Sequence, residues 1–173
     1  MPWMTDRPVV VPFDFSEHSE IALRRAASLV ARPEQLHVLH ILPFLIPTEP
    51  GVVWATVDDA HRVQHALESL RESVDRLQIG NAELEVRLGD PGQLACHRAE
   101  ELGAELIVVG SHGRTGLTRM LLGSVAERVV RLAHCEVLVV KVNTPHGPTG
   151  NTAEGTGVEP ATGKPAPDFE SGS

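Results

Sequence analysis

Hydrophobic positions along this chain follow two periods. Short continuous apolar runs, the first being Arg7-Pro8-Val9-Val10-Val11-Pro12-Phe13, suit strands buried on both faces. Between the runs, apolar residues recur at the spacing of one helix face. Asp14-Phe15-Ser16 follows the first run, and Ser16 is the predicted N-cap of a helix carrying Ala22, Ala26, Leu29 and Val30. Pro33 is the expected stop of that helix, and residues 35–42 (Gln-Leu-His-Val-Leu-His-Ile-Leu) read as a second strand. Residues 43–55 show neither period. Ala60, Val63, Leu67, Leu70, Val74 and Leu77 then predict an amphipathic helix lying on a sheet. A Gly80-Asn81 turn leads to a third strand over 82–88. Gly89-Asp90-Pro91 supplies a turn glycine, an N-cap and a proline at the first helical position. The helix it opens carries Leu94, Ala95, Ala99 and Leu102, with Gly103 as C-cap. Residues 104–109 form a fourth run, apolar but for Glu105. Ser124-Val125-Ala126-Glu127 has capping-box form, so Ser124 is the expected N-cap of a last helix with Val125, Val129 and Leu132 on its buried face. Glu136 to Val142 is the fifth strand.

Strict alternation of strand and helix predicts an α/β fold: a doubly wound, five-stranded parallel sheet with helices on both faces. Right-handed crossovers make 3-2-1-4-5 the natural strand order. Ligands of such sheets bind beyond the carboxyl ends of the strands, where the order reverses. Here the reversal falls between the first and fourth strands, which run into the Asp14 loop and a glycine-punctuated loop. That second loop has the spacing Gly110-x2-Gly113-x9-Gly123-Ser124. Glycine permits positive φ and close approach of a ligand to backbone. A helix N-terminus adds free N–H groups and partial positive charge, which suit phosphate. Glycine spacing and topology thus point independently to one place.

Composition narrows the reading. The formal net charge of −8 argues against binding driven by phosphate neutralisation of nucleic acid. Cys96 and Cys135 are too few for a disulfide framework or a cysteine-rich zinc site. No apolar run is long enough to cross a membrane or serve as a signal sequence, so a cytoplasmic protein without a membrane partner is expected. Six glycines and five prolines crowd residues 143–173, with few large apolar side chains. That stretch is expected to be a disordered acidic tail beyond a domain over 1–142. His61 and His65 lack the intervening glutamate of a zincin motif and read as helix surface. His37 and His40 are three apart on a strand and point to opposite faces. Walker, dinucleotide and nucleophile-elbow motifs are missing.

The glycine-serine pattern after Leu106-Ile107-Val108-Val109 resembles the ATP-binding signature of the universal stress protein family. Val11-Pro12-Phe13-Asp14-Phe15-Ser16, Leu39-His40-Ile41, Gly89-Asp90-Pro91 and Val137-Leu138-Val139-Val140 look like the same family. The resemblance spans roughly 7–142. It implies an ATP-binding stress-response protein that acts by nucleotide-dependent binding, with at most slow hydrolysis. It places Asp14 near the nucleoside, Ile41 against the adenine, and Gly110, Gly113, Gly123 and Ser124 around ribose and phosphates. Pro12 and Val125 complete this set. Arg114 is the cationic candidate inside the loop, alongside Arg119 and His112. Mg2+ is implied as a companion of ATP. Plainer roles fit some of these residues too: Asp14 as a helix cap, Ile41 as ordinary core. The competing reading is a protein-interaction module on the same fold that binds no nucleotide. A homodimer through the apolar edge strand Glu136–Val142 is expected, because an unprotected edge invites pairing.

Overall fold

The computed structural model describes residues 4–44, 58–113 and 122–142. Strand β1 (Val9–Pro12) is central and buried throughout. It pairs in parallel with β2 (Leu36–Leu42) on one side and β4 (Leu106–Gly110) on the other. β3 (Glu83–Leu88) and β5 (Glu136–Val140) form the two edges, giving the order 3-2-1-4-5. The expected topology is therefore the observed one. Among the described residues the α-helices are α1 (Glu17–Ala27), α2 (Asp59–Arg76), α3 (Pro91–Leu102) and α4 (Ser124–Leu132).

Strand alternation sorts the core onto two faces. Val9, Val11, Leu106 and Val108 join Ala22, Leu23, Leu70 and Val74, so α1 and α2 cover one face. Val10 and Ile107 join Ala95, Ala99 and Val129, so α3 and α4 cover the other. This segregation follows from right-handed crossovers that move one way from β1 to β3 and the opposite way from β3 to β5.

The edges differ. On β3, Leu84 and Val86 pack inward while Glu83, Glu85 and Arg87 occupy the alternate positions. Arg87 and Arg98 bridge Glu85 and Glu101 at 2.5–2.9 Å, laying an ion-pair lattice over that face. Charge of this kind blunts an edge. No ion pair covers β5 among the described residues: Val137 packs toward one face, and Leu138 and Val140 toward the other.

Two expectations about helix ends change. α1 stops at Ala27, with Ser28 as C-cap, well before Pro33. Leu29 and Val30 are buried beyond its end, because Thr5 donates its backbone N–H to Leu29 O at 2.8 Å and accepts from Ala31 N at 3.0 Å. Pro33 instead opens a short 3-10 turn, Pro33–Gln35. In α4 the N-cap is Gly123, and Ser124 is the first helical residue with no side-chain cap. Gly123 N donates to Ser111 O at 2.8 Å, and this cross-loop bond sets the helix start one residue early. The Asp90 cap of α3 and the left-handed Gly103 at its end stand as predicted.

Candidate functional site

The helices that follow β1 and β4 lie on opposite faces of the sheet, and a cleft lies between the two strand ends. Its volume is about 360 Å³. Pro12 and Asp14 come to it from β1, Ile41 from the end of β2, and Gly110 and Gly113 from β4. Gly123, Ser124 and Val125 come from the start of α4. All the predicted site residues but one thus line a single cleft. The exception, Arg114, lies outside the described residues, as do Arg119, residues 45–57 and the stretch 143–173.

Asp14 is fixed by its neighbours. Its Oδ1 accepts from Ser16 N at 3.1 Å and from Ser16 Oγ at 2.5 Å. Ser16 Oγ in turn accepts from Ser19 N at 3.2 Å and caps α1. The cap is therefore Ser16, as predicted, and Asp14 supports the cap rather than forming it. Ile41 is half-buried on the cleft wall, outside both core clusters.

The loop glycines serve close approach and not unusual backbone. Among the described residues, glycines with positive φ are Gly80, Gly89 and Gly103, none of them in the signature. A Cβ on Gly110 would stand 2.8 Å from the backbone oxygen of His18, so β4 and α1 touch there. A Cβ on Gly113 would stand 2.8 Å from Asp14 Oδ2. One on Gly123 would meet Ser111 O at 3.2 Å. Hence Gly110 brings α1 against the sheet, Gly113 lets the loop reach the carboxylate, and Gly123 folds the loop back onto Ser111.

The N-terminus of α4 faces this cleft. Because no side chain caps it, the N–H groups of Ser124, Val125 and Ala126 have no acceptor among the described residues. Uncapped N–H groups and the helix dipole favour an anion here. α4 is held in place by Arg128, whose Nη1 donates to Asp90 Oδ2. Asp90 Oδ1 meanwhile caps α3 through Gln93 N at 2.9 Å. Gly92 leaves room for the Arg128 stem, 2.8 Å from where a Cβ would sit.

Two histidines border the cleft. His112 was legible as a candidate in the loop. Its Nδ1 lies 3.0 Å from Ser111 Oγ, and its Nε2 is buried without a hydrogen-bond partner among the described residues. His40 was missed as a site residue. The available signal was a polar side chain inside the apolar run of β2. It is only 5% exposed, and its Nδ1 lies 2.7 Å from Phe13 O. Away from the cleft, burial pushes the Cys96 and Cys135 thiols up, so both behave as small core residues. No group of three or more metal-ligating side chains occurs among the described residues.

Comparison with known proteins follows the same outline. The sequence model of the universal stress protein family matches residues 6–141. Universal stress protein MJ0531 of Methanocaldococcus jannaschii is 34% identical over 142 residues, covering 78% of this chain and 82% of the relative. Universal stress protein MJ0577 of the same organism is 28% identical, covering 78% and 94%. The solved structure of MJ0577 superposes with a TM-score of 0.64 at 27% identity, over 80% of this chain and 98% of that one. A universal stress protein solved in complex with cAMP gives a TM-score of 0.55 at 27% identity, over 78% and 96%. The apolar runs, the reversed sheet order, the Asp14–glycine-loop cleft and these matches agree, and the chain belongs to the universal stress protein family.

Proposed function

We propose that the cleft binds an adenine nucleotide, ATP accompanied by Mg2+, and that the protein acts through nucleotide-dependent association. The observation that carries this reading is the juxtaposition of the Asp14 carboxylate with the uncapped N-terminus of α4 across one cleft. A nucleotide needs both an acceptor for its hydroxyl or amino groups and donors for its phosphates. The volume, about 360 Å³, lies in the lower part of the range for small-molecule sites and suits the nucleoside portion. Ile41, Pro12 and Val109 supply apolar wall for a purine. Asp14 accepts from ribose. The N–H groups of Ser124, Val125 and Ala126 hold phosphate oxygen. A cAMP complex of a family member supports an adenine ligand for this cleft.

The residues of the cleft favour holding over cleaving. Asp14 Oδ1 already accepts twice from Ser16, and His40 Nδ1 and His112 Nδ1 are engaged by Phe13 O and Ser111 Oγ. Divalent ions need several oxygen ligands, and with no three-residue cluster described here Mg2+ is read as arriving on the phosphates. No described helix is long and apolar enough to cross a membrane, which is compatible with a cytoplasmic role. The β5 edge, which no ion pair covers among the described residues, contrasts with the charged β3 edge and supports a homodimer through Glu136–Val142.

The test is nucleotide content of the purified protein, read together with thermal stability on adding ATP. Wild type should carry or bind nucleotide and gain stability, while Gly113→Ala and Gly123→Val should retain much less nucleotide and gain much less stability. Equal, negligible binding by all three would replace this reading with that of an interaction module.

A further inference from the structure

We propose that His40 is the positioning residue for Asp14, resting on the nucleotide reading above. Asp14 sits in a four-residue link, Phe13 to Ser16, between β1 and α1, beyond the last strand hydrogen bonds that hold the sheet. Both residues flanking it are tied to one imidazole.

Before Asp14, the carbonyl of Phe13 lies 2.7 Å from His40 Nδ1. A carbonyl only accepts, so Nδ1 carries the proton and donates. Phe13 N donates to Leu39 O at 2.9 Å, so residue 13 is clamped to β2 through both its polar backbone atoms. After Asp14, Phe15 adopts φ +65°, the left-handed region that a bulky aromatic rarely enters. Its ring stands edge-on to His40 at 4.7 Å and to Phe13 at 5.2 Å. Such a backbone persists only where the surroundings over-determine it. Here the ring contacts do so, and His40 is their polar member.

The geometry has a direct effect on the carboxylate. With residue 13 clamped and residue 15 left-handed, the chain turns so that Ser16 N and Oγ both reach Asp14 Oδ1. Oδ2 is then directed at Gly113. The parallel register of β1 with β2 over Val9–Pro12 is complete without His40. The buried imidazole therefore sets the loop and not the sheet.

The experiment uses the full chain with His40→Leu, which keeps bulk and removes the donor, and His40→Asn, whose amide can donate from near the Nδ1 position. ATP affinity is measured by calorimetry, and amide hydrogen exchange over residues 13–19 is followed in nucleotide-free protein. We expect His40→Leu to weaken ATP binding by about tenfold or more and to speed exchange over 13–19, and His40→Asn to restore both to within about threefold of wild type. Wild-type affinity in folded His40→Leu overturns the proposal. So does a loss in which exchange changes uniformly across the domain, or one that the asparagine variant shares in full. Failure of wild type itself to bind ATP removes the nucleotide reading and the purpose assigned to His40, while the exchange data still decide whether His40 sets the loop.

Discussion

Gly113→Ala tests how the glycine loop and the Asp14 carboxylate share space. The new Cβ would start 2.8 Å from Asp14 Oδ2, whereas ordinary contact begins at 3.4 Å, so the pair must open by roughly 0.6 Å (3.4 − 2.8). Gly113 has no positive φ, so alanine brings no backbone strain of its own. The displacement falls on the carboxylate, which is tethered at Oδ1 by the Ser16 bonds of 2.5 and 3.1 Å. Weakening those part-exposed bonds should cost about 1 kcal/mol of stability, or about 2–4 °C in Tm. Misplacing a charged hydrogen-bond acceptor should cost binding more, about 1.5–3 kcal/mol, hence roughly 10- to 150-fold in Kd. Calorimetry with ATP, well below Tm, reads the affinity directly. A thermal scan checks it: ATP at about 100 times the wild-type Kd stabilises wild type by about 2.7 kcal/mol, and a variant bound a hundredfold more weakly by only about 0.4 kcal/mol. If Gly113→Ala binds ATP within about threefold of wild type, or loses stability as steeply as it loses affinity, the assigned contact is wrong.

Gly110→Ala and Gly103→Ala separate steric crowding from backbone strain. At Gly110 the Cβ meets the His18 carbonyl at 2.8–2.9 Å, and overpacking against backbone should cost about 1–3 kcal/mol in urea denaturation. At Gly103 nothing lies within 4 Å but φ is +59°, so about 1–2 kcal/mol is expected and Gly103→Asn should recover part of it. A Gly110→Ala variant as stable as wild type would show that α1 moves freely on β4. Glu101 gives a pH test: hydrogen bonds from Arg87 and Arg98 hold its carboxyl at about 2, below its ordinary 4.5. A depressed folded pKa stabilises above the unfolded value and fades as pH falls through the folded one. Glu101→Gln should therefore be the less stable protein above about pH 4.5 and converge with wild type near pH 2; parallel Tm curves across that window would refute this. For the β5 edge, wild type should sediment as a dimer and Val139→Lys as a folded monomer. A wild type that is monomeric at micromolar concentration in light scattering ends the edge-pairing proposal.

The sequence by itself determined the elements, their order and the place of the cleft. Apolar runs at Val9–Pro12 and Leu106–Gly110 could only be doubly buried strands, and crossover handedness then fixed where the order reverses. Ser16, Asp90 and Gly103 were legible because a cap acts on residues a few positions away. What tertiary structure decided involves partners distant along the chain. Thr5 captures Leu29 and Ala31, and so α1 ends before its proline. Ser111 captures Gly123, and so Ser124 opens α4 without capping it. The spacing of Gly110, Gly113 and Gly123 marked the loop, but their reason is the backbone of His18, the carboxylate of Asp14 and the carbonyl of Ser111, and not a left-handed turn. The part His40 plays beside the cleft was not legible for the same cause. A buried imidazole has meaning only beside the carbonyl it serves, and Phe13 O arrives from another strand. Local patterns encode periodicity and caps, whereas close approach and buried hydrogen bonds exist only once the strands are side by side.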